Sequence, residues 1–300
     1  MVAPLECRDL SRSYGAVLGL EGLHLTLAAG EIFGLIGLNG AGKSTTLRLA
    51  LGLLKPTRGE ALLFGVPARR ALAARRRLGY VPSELSLYPD RSARESLDLL
   101  ARLTGSTPAA VRSSRLVLAA RLGMNELDLD RPVGEMSHGM RQKVGIVQAL
   151  EHGPDFVVLD EPSDGLDPVA RDVLATLLGE VRERGGTVLL ASHVLSEIEG
   201  LADRVGVLHR GKLVALETAA SLRRREALLI EASFAGELPP LDGVGGIEVV
   251  ERGAGRLVLR AHPPLDAVVK LLARGSLQML RVHEPSLEDL VREVAREDTP

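Results

Sequence analysis

The residues best suited to chemistry lie in one glycine-rich segment, residues 37–45, which fits the pattern G-x-x-x-x-G-K-[ST]. An apolar run precedes it at residues 32–36, and a run typical of a helix follows at residues 46–51. This strand, loop and helix context is the one that the pattern requires. Glycines let several backbone N–H groups point at one place, and the positive end of a helix adds to them. The segment therefore predicts a site for nucleotide phosphates.

Two side chains of this segment have separate expected tasks. Lys43 would reach the β- and γ-phosphates, and the hydroxyl of Ser44 would bind Mg²⁺. The other residues expected to bind the nucleotide here are Gly37, Leu38, Asn39, Gly40, Ala41, Gly42 and Thr45. The alternative is an ordinary glycine-rich turn between a strand and a helix. It is disfavoured because Gly-Lys-Ser-Thr follows so closely on an apolar strand.

Acidic residues and a histidine follow two further apolar strands. Asp160 and Glu161 come directly after residues 156–159, and His193 comes after residues 187–191. Ligands bind beyond the carboxyl ends of strands in open parallel sheets, so these side chains are expected beside the phosphate site. Asp160 is placed to hold Mg²⁺, and Glu161 to orient or deprotonate an attacking water. His193 is expected to contact the γ-phosphate.

The elements around these residues predict an α/β architecture. A helical pattern at residues 169–184 separates the two apolar strands, which favours a parallel sheet covered on both faces. Short strands are expected before residue 30, at 2–10 and 23–27. Helical spacing is found at residues 93–103 and 109–122.

Beyond about residue 222 the pattern changes to that of a small α+β domain. The expected elements are strands at 227–234, 247–251, 256–260 and 277–282, and helices at 265–273 and 286–296, the last capped by Ser286. An arginine-rich run at residues 69–77 is interpreted as the solvated face of a helix.

Composition sets broad limits on function. Of 300 residues, 45% are apolar and 25% charged, which is ordinary for a globular protein with a substantial core. The net charge of −2 does not favour electrostatic binding of nucleic acid. The one cysteine, Cys7, rules out an internal disulfide and fits a reducing compartment. No secretion signal or membrane-spanning run is expected.

Taken together, these motifs resemble the ATP-binding cassette (ABC) ATPases over about residues 3–220. Residues 136–143 (MSHGMRQK) resemble the family's signature segment, and residues 161–168 (EPSDGLDP) resemble the segment that joins the catalytic glutamate to the D-loop. His193 matches the switch histidine, and Tyr14 matches the aromatic residue that stacks on adenine. The resemblance implies a P-loop NTPase cassette at residues 1–221. It would have a mainly parallel core, N-terminal antiparallel strands and a helical subdomain at about 88–150, with a small accessory domain at 222–300.

The resemblance also implies partners and cofactors. ATP with Mg²⁺ would be enclosed between two subunits, with Ser137, Gly139 and Asp167 of each facing the nucleotide of the other. A separate membrane permease would place the protein on the cytoplasmic face of the membrane. Residues 284–290 (EPSLEDL) resemble the end of the C-terminal domain of some two-component bacterial exporters of drugs or polymers, which favours export.

The chain departs from the family pattern at a few positions. Ser83 stands where the family usually has Gln, followed by Glu84. It is a further candidate for the Mg²⁺ site, but it is too short to replace the glutamine directly, so water or Glu84 would have to substitute. His138 replaces a usual Gly, Met140 a usual Gln, and Asp164 a common Ser.

Two other functions remain open at this point. A cassette ATPase acting on ribosomes or nucleic acid is disfavoured because aromatic residues make up only 2% of the chain, which leaves few surfaces for stacking bases. No nucleic-acid partner is therefore expected. A module that senses ATP without hydrolysing it is disfavoured because Lys43, Asp160, Glu161 and His193 are all present.

Overall fold

The computed structural model describes residues 2–219, 221, 228–241, 245–261 and 264–283. The helix expected at residues 286–296 and the exporter-like segment at 284–290 lie outside the described residues. The chain divides into two compact units, Met1–Leu216 and Glu217–Pro300. This division falls five residues before the boundary expected at 221/222, within the last strand of the first unit.

The first unit begins with an antiparallel sheet in the order β2-β1-β4-β5. Its strands are β1 (Leu5–Tyr14), β2 (Val17–Leu27), β4 (Arg58–Leu63) and β5 (Val66–Pro67). β1 begins and ends later than the strand expected at 2–10, and β2 begins well before the strand expected at 23–27. Register shifts between Cys7 and Leu10 and between Leu10 and Arg12 explain the difference, because irregular pairing interrupts the alternation of apolar and polar residues.

A second sheet of the first unit carries the residues predicted to do chemistry. Its strands are β3 (Ile32–Ile36), β6 (Leu78–Val81), β7 (Phe156–Asp160), β8 (Thr187–Ser192), β9 (Arg204–His209) and β10 (Lys212–Thr218). They lie in the order β10-β9-β3-β8-β7-β6, and β3, β6, β7, β8 and β9 run parallel. Every residue of β3, β7 and β8 is buried, as continuous apolar strands predict.

Helices cover this sheet and form the predicted helical region. They are α1 (Lys43–Ala50), α2 (Leu72–Arg75), α3 (Ala93–Leu103), α4 (Pro108–Arg121), α5 (Glu126–Asp130), α6 (His138–Leu150), α7 (Pro168–Glu183) and α8 (Leu195–Glu199). Capping explains several starts: Ser92 forms a capping box with Glu95, and Ser137 caps α6. A buried guanidinium, that of Arg115, links α4 to Glu151 at the end of α6 at 2.7 Å.

The second unit is a small antiparallel sheet with one helix described on it. The strands β11 (Leu228–Phe234), β12 (Ile247–Gly253), β13 (Arg256–Ala261) and β14 (Leu277–His283) lie in the order β12-β13-β11-β14. The helix α9 (Asp266–Leu272) contributes Val268, Leu271 and Leu272 to the core of this unit. The predicted α/β fold with an accessory α+β unit is confirmed.

Candidate nucleotide-hydrolysis site

The loop between β3 and α1 has a backbone that only glycine allows. Gly40 and Gly42 have φ of 80° and 107°, in the left-handed region. A Cβ at Gly42 would lie 2.5 Å from the carbonyl oxygen of Gly19, and one at Gly37 would lie 2.5 Å from that of Leu208. α1 begins directly after the loop without a side-chain cap, so its first N–H groups remain available to an anion. The backbone of this loop therefore has a geometry that suits phosphate binding.

Lys43 brings a positive charge to the mouth of this loop. Its side chain is only 6% exposed, and its Nζ donates to the carbonyl oxygen of Gly37 at 2.6 Å. The same atom lies 3.1 Å from Oε1 of Glu161. The lysine of the loop and the acid that follows β7 are thus neighbours, as the parallel sheet predicts.

Asp160 ends β7 as a fully buried carboxylate. Neither of its oxygens accepts a hydrogen bond of standard geometry within the described chain. Burial raises the pKa of Asp160, and the nearby Ser44 hydroxyl and Lys43 ammonium oppose that rise. Buried carboxylate oxygens without partners beside a hydroxyl fit a bound Mg²⁺, which prefers oxygen ligands. Among the described residues, no three acidic, histidine or cysteine side chains are placed to hold a metal ion together, so phosphate and water would have to complete the ion's shell.

Glu161 occupies a strained backbone position. Its φ is 52°, a left-handed conformation that is costly for a residue with a side chain. Its N–H donates to the carbonyl oxygen of Ala191 at 2.9 Å, which extends the contact of β7 with β8. Its Oε2 lies 2.8 Å from Nδ1 of His193 and accepts the backbone N–H of His193 at 3.2 Å. A carboxylate held in this way can accept a proton from a water molecule.

Ser137, Gly139 and Asp167 form a second group. The hydroxyl of Ser137 accepts the N–H of Met140 at the start of α6. A Cβ at Gly139 would lie within 2.3 Å of the carbonyl oxygen of Gly165, so the signature turn packs closely on the loop before α7. No hydrogen bond or ion pair among the described residues joins this group to the phosphate loop of the same chain.

Asp167 connects the two loops of this second group. Its carboxylate caps α7 by accepting the N–H of Ala170 at 2.9 Å, and it pairs with Lys143 of α6 at 3.0 Å. The hydrogen bond from Ala170, followed by the one from Lys143, lowers the pKa of Asp167.

The remaining predicted residues lie at the margins of the site. The ring of Tyr14 packs on Gly19, whose carbonyl oxygen also faces Gly42, so this ring lies near the phosphate loop. Its side chain is partly exposed, and the Arg12 guanidinium lies 4.8 Å from the ring centroid on one face. Ser83 is half-buried and has no side-chain hydrogen bond within the described chain.

The structure also shows contacts that the sequence did not predict. The Gln142 amide donates to the carbonyl oxygen of Pro162 at 3.1 Å, which ties α6 to the loop after Glu161. Gln142 lies in the signature segment, so that motif was the available signal. His138 and Asp164 lie 3.5 Å apart, and both are departures from the family pattern. No sequence signal indicates that they meet.

Comparisons with known proteins agree with this geometry. A family model described as "ABC transporter" matches residues 20–164. The "Nod factor export ATP-binding protein I" of Burkholderia orbicola (strain AU 1054) is 40% identical over 71% of this chain and 70% of its own length. The "Linearmycin resistance ATP-binding protein LnrL" of Bacillus subtilis (strain 168) is 31% identical over 95% and 96%. A solved "ATP binding subunit of ABC transporter" superposes with a TM-score of 0.68 at 36% identity, over 74% of this chain and 92% of that one.

The chain therefore belongs to the ABC transporter family. It is an ATP-binding and ATP-hydrolysing subunit of that family, which confirms the prediction made from the motifs. None of the helices in the described part of the chain is long and apolar enough to cross a membrane.

Proposed function

We propose that this chain powers a bacterial-type exporter by closing with a second copy around two ATP molecules and driving a separate membrane permease from the cytoplasmic face. The observation that carries the hydrolytic part is the placement of Glu161. Its carboxylate lies between the Lys43 ammonium at 3.1 Å and the His193 imidazole at 2.8 Å, beside the buried Asp160. The export direction rests on the printed name of the Nod factor relative and on the resemblance of the C-terminal segment.

In this proposal each side chain has one task. The loop N–H groups and Lys43 hold the phosphates. Ser44 and Asp160 would hold Mg²⁺, which would supply positive charge to the phosphates when bound. Glu161 takes a proton from the attacking water as the oxygen of that water bonds to the γ-phosphorus. The bond from that phosphorus to the bridging oxygen breaks, giving ADP and phosphate. His193 fixes the Glu161 carboxylate and reaches the γ-phosphate, and Tyr14 stacks on the adenine.

The second copy would complete the site. α6 begins at Ser137 and Gly139, and a helix start attracts negative charge. Since this turn makes no hydrogen bond with the phosphate loop of its own chain, a two-fold dimer would place it over the γ-phosphate of the partner's nucleotide. Asp167 would face the same interface. ATP then joins the two copies, and hydrolysis loosens them.

A substitution of Glu161 by Gln tests the hydrolytic role. It keeps the shape of the side chain and removes the base, so turnover should fall by about 10²- to 10⁴-fold. A dimer with ATP bound should then accumulate, which light scattering coupled to gel filtration would detect. The matched control is Glu60→Gln, a change at an exposed carboxylate that pairs loosely with Arg8 at 3.8 Å. A Glu161→Gln protein with unaltered turnover, or one that stays monomeric in saturating ATP, would contradict the proposal.

The transport role needs the membrane partner. The chain should co-purify with a permease in detergent, and the reconstituted pair should move cargo across vesicles only when ATP is on the side of this subunit. Cargo movement that continues at full rate with Glu161→Gln would exclude it as the motor.

A further inference from the structure

A carboxylate that no motif predicted lies beneath the two catalytic loops. Glu197 is in α8, and its side chain is only 17% exposed. Its Oε2 accepts two short hydrogen bonds, from the hydroxyl of Ser163 at 2.6 Å and from that of Ser192 at 2.8 Å. Both serines are buried. One oxygen atom therefore joins two loops that are far apart in the sequence.

Each of these serines is next to a residue with a proposed chemical task. Ser163 follows Glu161 by two positions, and Ser192 directly precedes His193. Ser192 also accepts the N–H of Val194 at 3.0 Å, which shapes the turn that carries His193. The Glu197 carboxylate is thus bonded to both segments whose side chains meet at 2.8 Å in the site.

A third segment is held by the same group. Arg171 of α7 donates from Nε to the carbonyl oxygen of Leu166 at 3.2 Å, and its Nη1 lies 3.9 Å from Oε1 of Glu197. Leu166 directly precedes Asp167, the residue that faces the proposed dimer interface. The carboxylate consequently connects the base, the histidine and the start of α7.

The strained backbone of Glu161 explains why such a connection is needed. A residue with φ of 52° keeps that conformation only where its surroundings hold it. The Glu161 N–H is fixed by Ala191, and the carbonyl oxygen of Pro162 is fixed by Gln142. The hydrogen bond from Ser163 to Glu197 is the next restraint along the same loop.

We propose that Glu197 is a positioning residue for ATP hydrolysis, which holds the Glu161 and His193 loops at their working separation. This inference rests on the tasks proposed above for Glu161 and His193. Glu197 itself is not expected to touch nucleotide or water during the reaction. Removing it should therefore affect the chemical step and leave nucleotide binding by the phosphate loop largely unchanged.

The surroundings of Glu197 favour a folded variant. A cavity of about 370 Å³ adjoins the carboxylate and is lined in part by Ser163, Arg171 and Asp172. In Glu197→Ala, water from this cavity can bond to the freed hydroxyls, so they need not remain unpaired. Glu197→Gln keeps a carbonyl oxygen at the same reach and should restore most of the activity.

The experiment measures kcat and KM for ATP in the full chain. Glu197→Ala should lower kcat about 10- to 100-fold, the loss expected when a catalytic group moves by roughly 1 Å. Because the phosphate loop is not altered, KM should stay within about twofold. The matched control is Glu180→Ala, which removes a carboxylate paired with Arg121 at 2.7 Å and should leave kcat unchanged. If Glu197→Ala does not fold, Ser163→Ala can be used, because it removes one of the two hydrogen bonds. It should also lower kcat, by a smaller factor, and leave KM nearly unchanged.

A double substitution separates positioning from general support of the fold. If Glu197 acts through the Glu161–His193 pair, Glu197→Ala should cost much less in a His193→Ala background than in the unaltered protein. The positioning role would be overturned if Glu197→Ala lowered kcat by the same factor with and without His193→Ala. It would also be overturned if Glu197→Ala had the same kcat as the control, or if it impaired kcat and KM to the same extent. Glu161→Gln keeps the hydrogen bonds of Glu197. Full turnover by this variant in the same assay would therefore contradict the proposed role of Glu161 as the base and would leave the role of Glu197 to be decided by the other variants.

Discussion

Replacing Asp160 by Asn should make the protein more stable in the absence of nucleotide, although it removes a ligand proposed for Mg²⁺. The Asp160 carboxylate is fully buried, and neither oxygen accepts a standard hydrogen bond from the described chain. Burial raises its pKa, which means that the folded protein pays to keep this group ionised at neutral pH. Asn has the same shape and carries no charge.

The size of the effect follows from the cost of burying such a group. An unsatisfied buried polar group costs about 1–3 kcal/mol, and more when it is charged. Because the amide of Asn is also buried, the expected gain is near the lower end, about 1 kcal/mol. For a unit the size of Met1–Leu216, this corresponds to a rise in Tm of about 2–4 °C.

The sign of the pH dependence is specific to a carboxyl group with a raised pKa. At low pH the group is protonated in both the folded and the unfolded chain and contributes nothing. As the pH rises through the ordinary pKa of Asp, the unfolded chain loses the proton first, so stability falls. The full penalty is present above the raised pKa of the folded state. The difference in stability between Asp160→Asn and the unaltered protein should therefore be largest at neutral pH and shrink on acidification.

The assay is thermal unfolding at several pH values, with and without ATP and Mg²⁺. The unaltered protein should gain stability from the ligand, whereas Asp160→Asn should gain much less, so that the order of the two Tm values reverses. Asp155→Asn is the control, since Asp155 pairs with Arg77 at the surface. The reasoning would be refuted if, without ATP, Asp160→Asn had a lower Tm than the unaltered protein at neutral pH, or if the Tm difference did not shrink as the pH is lowered through the acidic range.

Other outcomes can be measured on the same protein. Gly37→Ala should weaken ATP binding at least about tenfold in calorimetry, since its Cβ would lie 2.5 Å from the carbonyl oxygen of Leu208 and force the cradle to move. Binding at native strength would contradict that role. A chain ending at Leu216 should still bind ATP, because the described site lies within the first unit; a folded truncation that does not bind would disprove it. A double-mutant cycle on His138 and Asp164 should show coupling of about 0.2–1 kcal/mol in ATP-dependent dimer formation, as for an exposed pair 3.5 Å apart. Strict additivity would mean that the pair does not contribute.

Local patterns were enough to predict much of this structure. The helix α3 has the bounds expected from its apolar spacing, Ala93–Leu103, and a capping box marks its start. The phosphate loop was predictable because Gly40 and Gly42 meet a local demand of the backbone, a positive φ. β1 was predicted to end too early and β2 to begin too late because bulges disturb alternation, an effect set by pairing between strands.

The contacts between loops could not be predicted in the same way. His138 and Asp164 each stand out as a departure from the family pattern, but only the fold brings the signature turn onto the loop before α7. Glu197 carries no motif, and its partner Ser163 lies 34 positions away. The sequence indicates which side chains are available, whereas their distances depend on how the strands beneath them pair.

That pairing makes ordinary core residues part of the catalytic arrangement. β7 and β8 pair with Val157 opposite Val188 and Asp160 opposite Ala191, which lets Glu161 extend the pairing and reach His193. A slip of one residue would send every side chain of the strand to the opposite face of the sheet. Since both faces are closely packed, the side chains would then no longer fit their neighbours, so the core residues that oppose the slip also fix Glu161 against His193. Enlarging or shortening these residues should consequently change turnover through the Glu161–His193 distance, even though none of them touches ATP.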